Sequence, residues 1–277
     1  TGGGGFIGSH LVDRLIQDGN NVAVIDDFTS GKTANLNTEA ELYERDICSG
    51  EIVKIIDKVR PDTIFHLAAQ ISVTSSVRDP VRDARINVMG SLNLMEAARG
   101  SSNPRFVFTS TGGAIYGEPK RFPVAEIDPI DPISPYAASK SAIEQYLATY
   151  RAAYGFDYSI LRLGNVYGPR QNPHGEAGVI AIFVSAMLAG ESVRIFGDGT
   201  DQRDYVYVTD AVDALVRAAN SGLASPYNVG SGVGTDVNTI AKRLSELTGY
   251  VKEPIYTERR DGDLFRIVLD ATKANNE

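Results

Sequence analysis

The chain has 277 residues, 43% apolar and 22% charged, which is ordinary for a folded globule and enough for one large α/β domain or a large domain with a smaller one attached. Its 27 Lys+Arg against 35 Asp+Glu leave a net charge of −8, which argues against a nucleic-acid surface, and no apolar run approaches the roughly 18 residues of a membrane span. The lone Cys48 excludes an internal disulfide and suits a reducing, cytoplasmic setting, where it is expected to pack as a small side chain.

The chain opens at Thr1 inside what reads as a motif, so a first β-strand and any targeting segment are expected to lie before it. Gly2, Gly5 and Gly8 have GxxGxxG spacing, and Leu11, Leu15 and Ile16 follow at helical intervals. This pattern is either a flexible turn or a phosphate loop opening a helix, whose free N–H groups and dipole would hold a pyrophosphate. The run NVAVID at 21–26 favours the second reading, because a short β-branched strand ending in an acid follows the glycines by about 20 residues in dinucleotide-binding βαβ units. Asp26 would then hold the adenosine ribose. Its carboxylate repels a 2′-phosphate, and neither Asp27 nor Phe28 is an arginine, so NAD is preferred over NADP, with Lys32 nearby as the one feature against. Phe6, Ile7, Asp27, Ser30 and Gly31 complete the candidate cofactor-binding set at this end.

Strand and helix patterns alternate from here: a strand at 41–45, a helix through Ile52, Val53 and Ile56, a strand at 63–69, a long helix over 81–99 and a buried strand at 105–110. A doubly wound parallel sheet is the economical arrangement. Residues 111–135, rich in Gly and Pro, are expected to loop over the carboxyl edge of that sheet, where ligands bind.

Ser134 is a candidate N-cap and Pro135 suits the first helical position, so a helix is expected over 136–150 with Tyr136 and Lys140 on one face at its entrance. Taken alone, YxxxK is equally an amphipathic helix whose Tyr packs and whose Lys is solvated. In a ligand cleft it becomes a phenol beside an ammonium that favours its phenolate, and so a base for a hydroxyl. A strand at 157–163 follows. From Asn165 the rhythm breaks into short elements: a helix near 177–189, strands at SVRIF and DYVYV, and helices at 210–220 and 236–247. The chain thus divides at 164/165 into a nucleotide-binding domain and a smaller lobe, with some segments of the latter returning to the main sheet.

Six blocks, in order, resemble the extended short-chain dehydrogenases/reductases, and within them the UDP-glucose 4-epimerase-like enzymes: TGGGGFIG, HLAAQ at 66–70, FTSTGGAIYG at 108–117, YAASK, NVYGPRQ at 165–171 and RDYVYVTD at 203–210. The resemblance implies a Rossmann domain with an irregular C-terminal lobe, NAD as cofactor, and 4-epimerisation of a UDP-hexose. It places Asp46 and Ile47 at the adenine and Leu67, Ala68, Ala69 and Gln70 along the NAD and substrate edge. Asn87 resembles the family's buried Asn under the nicotinamide, or is a helix residue bonded locally. Asn165, Arg203 and Arg260 resemble diphosphate contacts, the two guanidiniums suiting a dianion. Either Arg could instead pair with Asp204 or Asp263.

Tyr136 and Lys140 are the catalytic pair that the resemblance implies. The family's Ser or Thr lies four residues before the Tyr of its xYG block; counting back from Tyr116 lands on Gly112, so the hydroxyl is expected to be missing there and replaced by Thr111, Ser110 or a water. Relatives that dehydrate or decarboxylate carry an acid in the next two positions, here Gly113 and Ala114, which favours simple epimerisation. Val268, aligned on RxGD, falls at the residue that gates the sugar 2-position, and its small size suggests that N-acetylhexosamines are accepted. His10, His66 and His174 are too scattered for a metal site, and none is assigned. Alternatives are an epimerase of another nucleotide sugar such as UDP-glucuronate, or a non-catalytic NAD-binding regulator. A homodimer through helices 81–99 and 136–150 is implied, with no nucleic-acid or membrane partner.

Overall fold

Gly8 approaches the backbone of Gly2 so closely that a Cβ there would stand 2.0 Å from the Gly2 carbonyl oxygen, and this contact sets the tight entry into the first helix. The computed structural model describes residues 1–174, 178–222, 224–259 and 264–277. In chain order the elements are α1 (Phe6–Gln17), β1 (Ala23–Asp26), β2 (Glu41–Glu44), α2 (Ile52–Val59), β3 (Thr63–His66), α3 (Val73–Arg78), α4 (Pro80–Ala84), a π-helical segment (Arg85–Gly90), α5 (Ser91–Gly100), β4 (Arg105–Thr111), α6 (Pro135–Tyr154), β5 (Tyr158–Leu163) and β6 (Asn165–Tyr167). There follow α7 (Val179–Leu188), β7 (Arg194–Phe196), β8 (Gln202–Tyr207), α8 (Val208–Asn220), β9 (Pro226–Val229), β10 (Gly234–Asp236), α9 (Val237–Thr248), β11 (Ile255–Thr257) and α10 (Thr272–Asn276).

β3, β4, β5 and β9 form one parallel sheet in that spatial order, and β1 pairs in parallel with β2. Thr1 and Gly2 bridge the two groups: the Gly2 N–H donates to Ile25 O, and the Leu67 N–H donates to Thr1 O. Alternation along β4 explains why both faces are covered. Phe106 and Phe108 pack with α2, α5 and α6 through Ile56, Leu94 and Ile143, whereas Val107 packs with Leu11, Val212 and Leu215 of α1 and α8. Each such side chain, fully buried, contributes about 1.5–3 kcal/mol.

The helix expected over 81–99 is α4, the π-helical segment and α5 end to end, and α3, which the sequence reading passed over, precedes it. The strand expected at 63–69 ends at His66, leaving Leu67–Gln70 as coil at the carboxyl edge of the sheet. In the second half, β9 pairs with β5 and α8 packs under the main sheet, while β6, β8 and β10 form a separate three-stranded sheet and β7 pairs with β11. Phe183, Met187, Ile195 and Ala241 give α7, β7 and α9 their own small core.

Candidate active site

α6 starts where its cap requires. The Ala137 N–H donates to the Ser134 hydroxyl, Pro135 occupies the first turn, and Tyr136 and Lys140 follow on one face against the end of β4. The Lys140 ammonium donates to Thr109 O at 3.0 Å, lies 4.8 Å from the Phe108 ring centroid and 6.0 Å from that of Tyr136, and is buried. Burial pushes this ammonium down to about 8, opposed by the charges of Asp83 and then Glu144. Burial pushes the Tyr136 phenol up to about 12, opposed by a hydrogen bond with the Thr111 hydroxyl and reinforced by the Asp83 charge. The expected lowering of the phenol by Lys140 does not operate in the free protein, where burial dominates and the opposing contribution comes from Thr111.

Thr111 ends β4 facing Tyr136, whereas Gly112 turns inward: a Cβ there would lie 2.5 Å from Leu269 Cδ1 and 2.9 Å from Arg162 O. Of these two neighbours, Thr111 lines the cleft and Gly112 does not. The segment from 112 to 114 contains no carboxylate.

A cleft of about 580 Å³ joins this pair to the glycine loop. It is lined by Gly2, Gly5, Phe6, Ile7, Gly8, Asp26, Asp27, Ser30 and Gly31, by Asp46 and Ile47, by Leu67–Gln70, and by Thr111, Tyr136 and Lys140, so residues far apart in sequence share one wall system. Asn87 sits beneath it, buried, its amide exchanging two hydrogen bonds with the backbone of Gln70 at 2.9 Å each. Asn165 does not line the cleft; its Oδ1 lies 3.4 Å from where a Cβ on Gly113 would be. Arg203 is half-buried on β8 and donates to its own strand at Gln202 O. It does not pair with Asp204, which is buried and accepts from the Ser231 and Gly232 N–H groups, the Ser231 hydroxyl and the Leu269 N–H. Val268 is buried against Gly234 and does not line the cleft. Arg260 and Asp263 fall outside the described residues.

Several lining residues were given no site role from the sequence: Asn35, Arg45, Ile86, and the run Arg170–Asn172 with His174. The last group is fastened to α1, because His10 Nε2 meets Pro169 O at 2.9 Å and Arg170 pairs with Asp13 at 2.7 Å. Its signal was the Gly- and Pro-rich NVYGPRQ block, which marked the loop without saying which wall it would cover.

The cleft fits a dinucleotide on several counts. No side chain caps α1, so its first-turn N–H groups have no partner within the helix and face the loop where a pyrophosphate binds. A Cβ at Gly31 would crowd Asp26 Oδ1 at 3.0 Å, and each Asp26 oxygen accepts one backbone N–H, from Gly4 and Phe28 at 2.8 Å, leaving acceptor capacity for a diol.

Residues 1–230 match the NAD dependent epimerase/dehydratase family. The chain belongs to that family. It is 51% identical to a UDP-glucose 4-epimerase of Thermotoga maritima solved with UDP-glucose, with a TM-score of 0.98 over 99% of this chain and 90% of that one. A UDP-glucose 4-epimerase of Thermus thermophilus, solved with NAD, is 44% identical with a TM-score of 0.94, covering 99% of this chain and 90% of that one. The UDP-glucose 4-epimerase of Mycolicibacterium smegmatis is 48% identical over 99% of this chain and 90% of its own length. The Rossmann architecture and the NAD dependence of the family agree with the glycine loop, Asp26 and the parallel sheet. Among the described residues, no helix is long and apolar enough to cross a membrane.

Proposed function

We propose that this family member interconverts the 4-epimers of a UDP-hexose, UDP-glucose and UDP-galactose first. The observation that carries the reading is the lining of one cleft by Thr111, Tyr136 and Lys140 together with the glycine loop and Asp26, Tyr136 and Lys140 lying one helical turn apart on α6. Bound NAD would supply a hydride acceptor that gives the hydride back, so the cofactor ends unchanged. Tyr136 takes the proton of the sugar 4-hydroxyl and later returns it. Thr111, beside the same phenol, holds the sugar hydroxyl in line, while the Lys140 ammonium stabilises the phenolate that receives the proton. The absence of a carboxylate at 112–114 leaves no second base for eliminating water, which separates this site from dehydratases on the same fold.

Asn165, Arg203 and Arg260 are read as the diphosphate contacts, with Gly2–Gly8, Asp26, Asp46–Ile47 and Leu67–Gln70 along the cofactor. Val268 would act on the sugar 2-position only through its contact with Gly234, and acceptance of N-acetylhexosamines is part of the proposal. A homodimer through 81–99 and 136–150 is supported by exposed Val81, Met89 and Tyr146 on those segments. The net charge and the single cysteine support a cytoplasmic protein without nucleic-acid partners. Incubating the purified protein with UDP-glucose and resolving the products by chromatography tests the reading. UDP-galactose is expected at equilibrium, and turnover surviving Tyr136→Phe, or no conversion of any UDP-sugar, refutes it.

A further inference from the structure

Four charged side chains are buried on adjoining elements: Lys140 and Glu144 on α6, Asp83 on α4 and Arg162 on β5. Two of them satisfy each other. Arg162 grips Glu144 through Nε at 3.1 and 3.2 Å and Nη2 at 2.6 Å, and the remaining donor Nη1 goes to the Tyr116 hydroxyl and Glu126 O. Lys140 and Asp83 remain. Asp83 is fully buried on α4, and its side-chain partners are all neutral: Gln70 Nε2 at 2.7 Å and Asn87 Nδ2 at 3.0 Å on one oxygen, and the Ser139 hydroxyl at 2.7 Å on the other. Three neutral donors hold a carboxylate in place but leave its charge uncompensated.

We propose that Asp83 is the resident counter-charge of Lys140 and, through Ser139, the positioning residue that ties the Tyr136–Lys140 turn to Gln70 and Asn87 at the opposite wall. The geometry is direct, because Ser139 precedes Lys140 and follows Tyr136 by three residues, so a bond to its hydroxyl fixes the turn carrying both. Gln70 and Asn87, gripped by the other oxygen, also lock together through their own backbone-to-amide pair. One carboxylate thereby sets the spacing between the two sides of the cleft.

The remaining groups facing Lys140 do not substitute for it. His66 on β3 is buried, bonded to the hydroxyls of Thr1 and Ser91, and held neutral by burial and then by the Lys140 charge. Glu144, one turn along α6, is committed to Arg162 of β5. β4 presents the Thr109 carbonyl and the Thr111 hydroxyl, which carry no net charge. Tyr136 is neutral in the free protein.

The proposal rests on the epimerase reading for its activity arm only, and a second arm needs no substrate. Asp83→Asn removes the charge and keeps the shape: the amide oxygen can face Gln70 and Asn87, and its NH₂ can face Ser139, whose hydroxyl turns from donor to acceptor. Lys140 must be charged to support the phenolate, so turnover falls as pH rises past about 8 in the parent. Without Asp83 that alkaline limb moves down by about one pH unit.

In the substrate-free protein, Lys140 titrates at about 8 folded against 10.5 unfolded, so the unfolded chain holds more protons between those values and stability climbs with pH from about 8 upward. In Asp83→Asn the climb starts about one unit lower, and groups common to both proteins cancel in the comparison. Should the asparagine protein not fold, Asp83→Ser, which keeps an acceptor and leaves room for a water, is read in the same way. Movement of the stability onset alone, with no conversion of any UDP-sugar by the parent, supports Asp83 and refutes the epimerase. A uniform drop in turnover with neither onset displaced overturns the proposal and leaves Asp83 a structural acid only.

Discussion

The Thr111 side chain meets the Tyr136 phenol in the cleft and opposes the effect of burial on it, while the next residue along, Gly112, is turned into the interior against Leu269. Losing a bond that holds the reacting hydroxyl costs turnover rather than affinity. Thr111→Val is expected to lower kcat about a hundredfold with little change in KM, and Thr111→Ser to stay near the parent. Gly112→Ser, which would restore the family's hydroxyl at the position the count suggests, is expected instead to destabilise by about 1–3 kcal/mol through overpacking, without raising kcat. Steady-state kinetics and thermal denaturation of the three proteins check this.

His66 provides a pH dependence with a defined sign. Burial holds the imidazole well below its ordinary 6.5, so the unfolded chain takes up a proton near that value that the folded chain refuses. Its contribution to stability is complete above about 6.5 and is lost as pH falls from there toward its folded value. Denaturant unfolding at a series of pH values should show a decline beginning near 6.5 that is weaker in His66→Gln.

Arg162 and Glu144 form a buried bidentate pair. Removing one partner strands the other, and Glu144→Gln or Arg162→Met is expected to cost about 3–5 kcal/mol. The double variant Glu144→Leu/Arg162→Met should cost less than the sum of its single variants, a result that calorimetric melting reads directly.

Asp26 lines the glycine-loop end of the cleft with both oxygens already steadied by backbone N–H groups. Asp26→Asn should weaken NADH binding about ten- to a hundredfold, from the loss of hydrogen bonds to a charged acceptor, and narrow the preference over NADPH. The chain has no tryptophan, so the fluorescence of the reduced nicotinamide can be followed against a low protein background.

Legibility in the sequence followed how local the causes are. The strand expected at 105–110, observed as Arg105–Thr111, could be read because buried parallel strands are continuously apolar, and the start of α6 because Ser134 and Pro135 act within one turn. β10 and β11 are three residues each and owe their pairing to Asp204–Gly234 and Arg194–Ile255 registers that no local pattern announces. Which of Thr111 and Gly112 turns toward the cleft could not be read locally, because Leu269, far along the chain, packs where a Cβ on Gly112 would stand. The same holds for Asp83. In sequence it is one more acid on a helix, and only the approach of α6 makes it the deepest carboxylate beside the cleft.

Alternation along β8 sends Arg203 and Asp204 to opposite faces, and the interior one clamps the turn at 231–232 and the backbone at 269. Three stretches of polypeptide are thus riveted at a single carboxylate. A lesion at Asp204 would slacken the C-terminal segments it joins while the parallel sheet of β3, β4, β5 and β9 kept its own pairing.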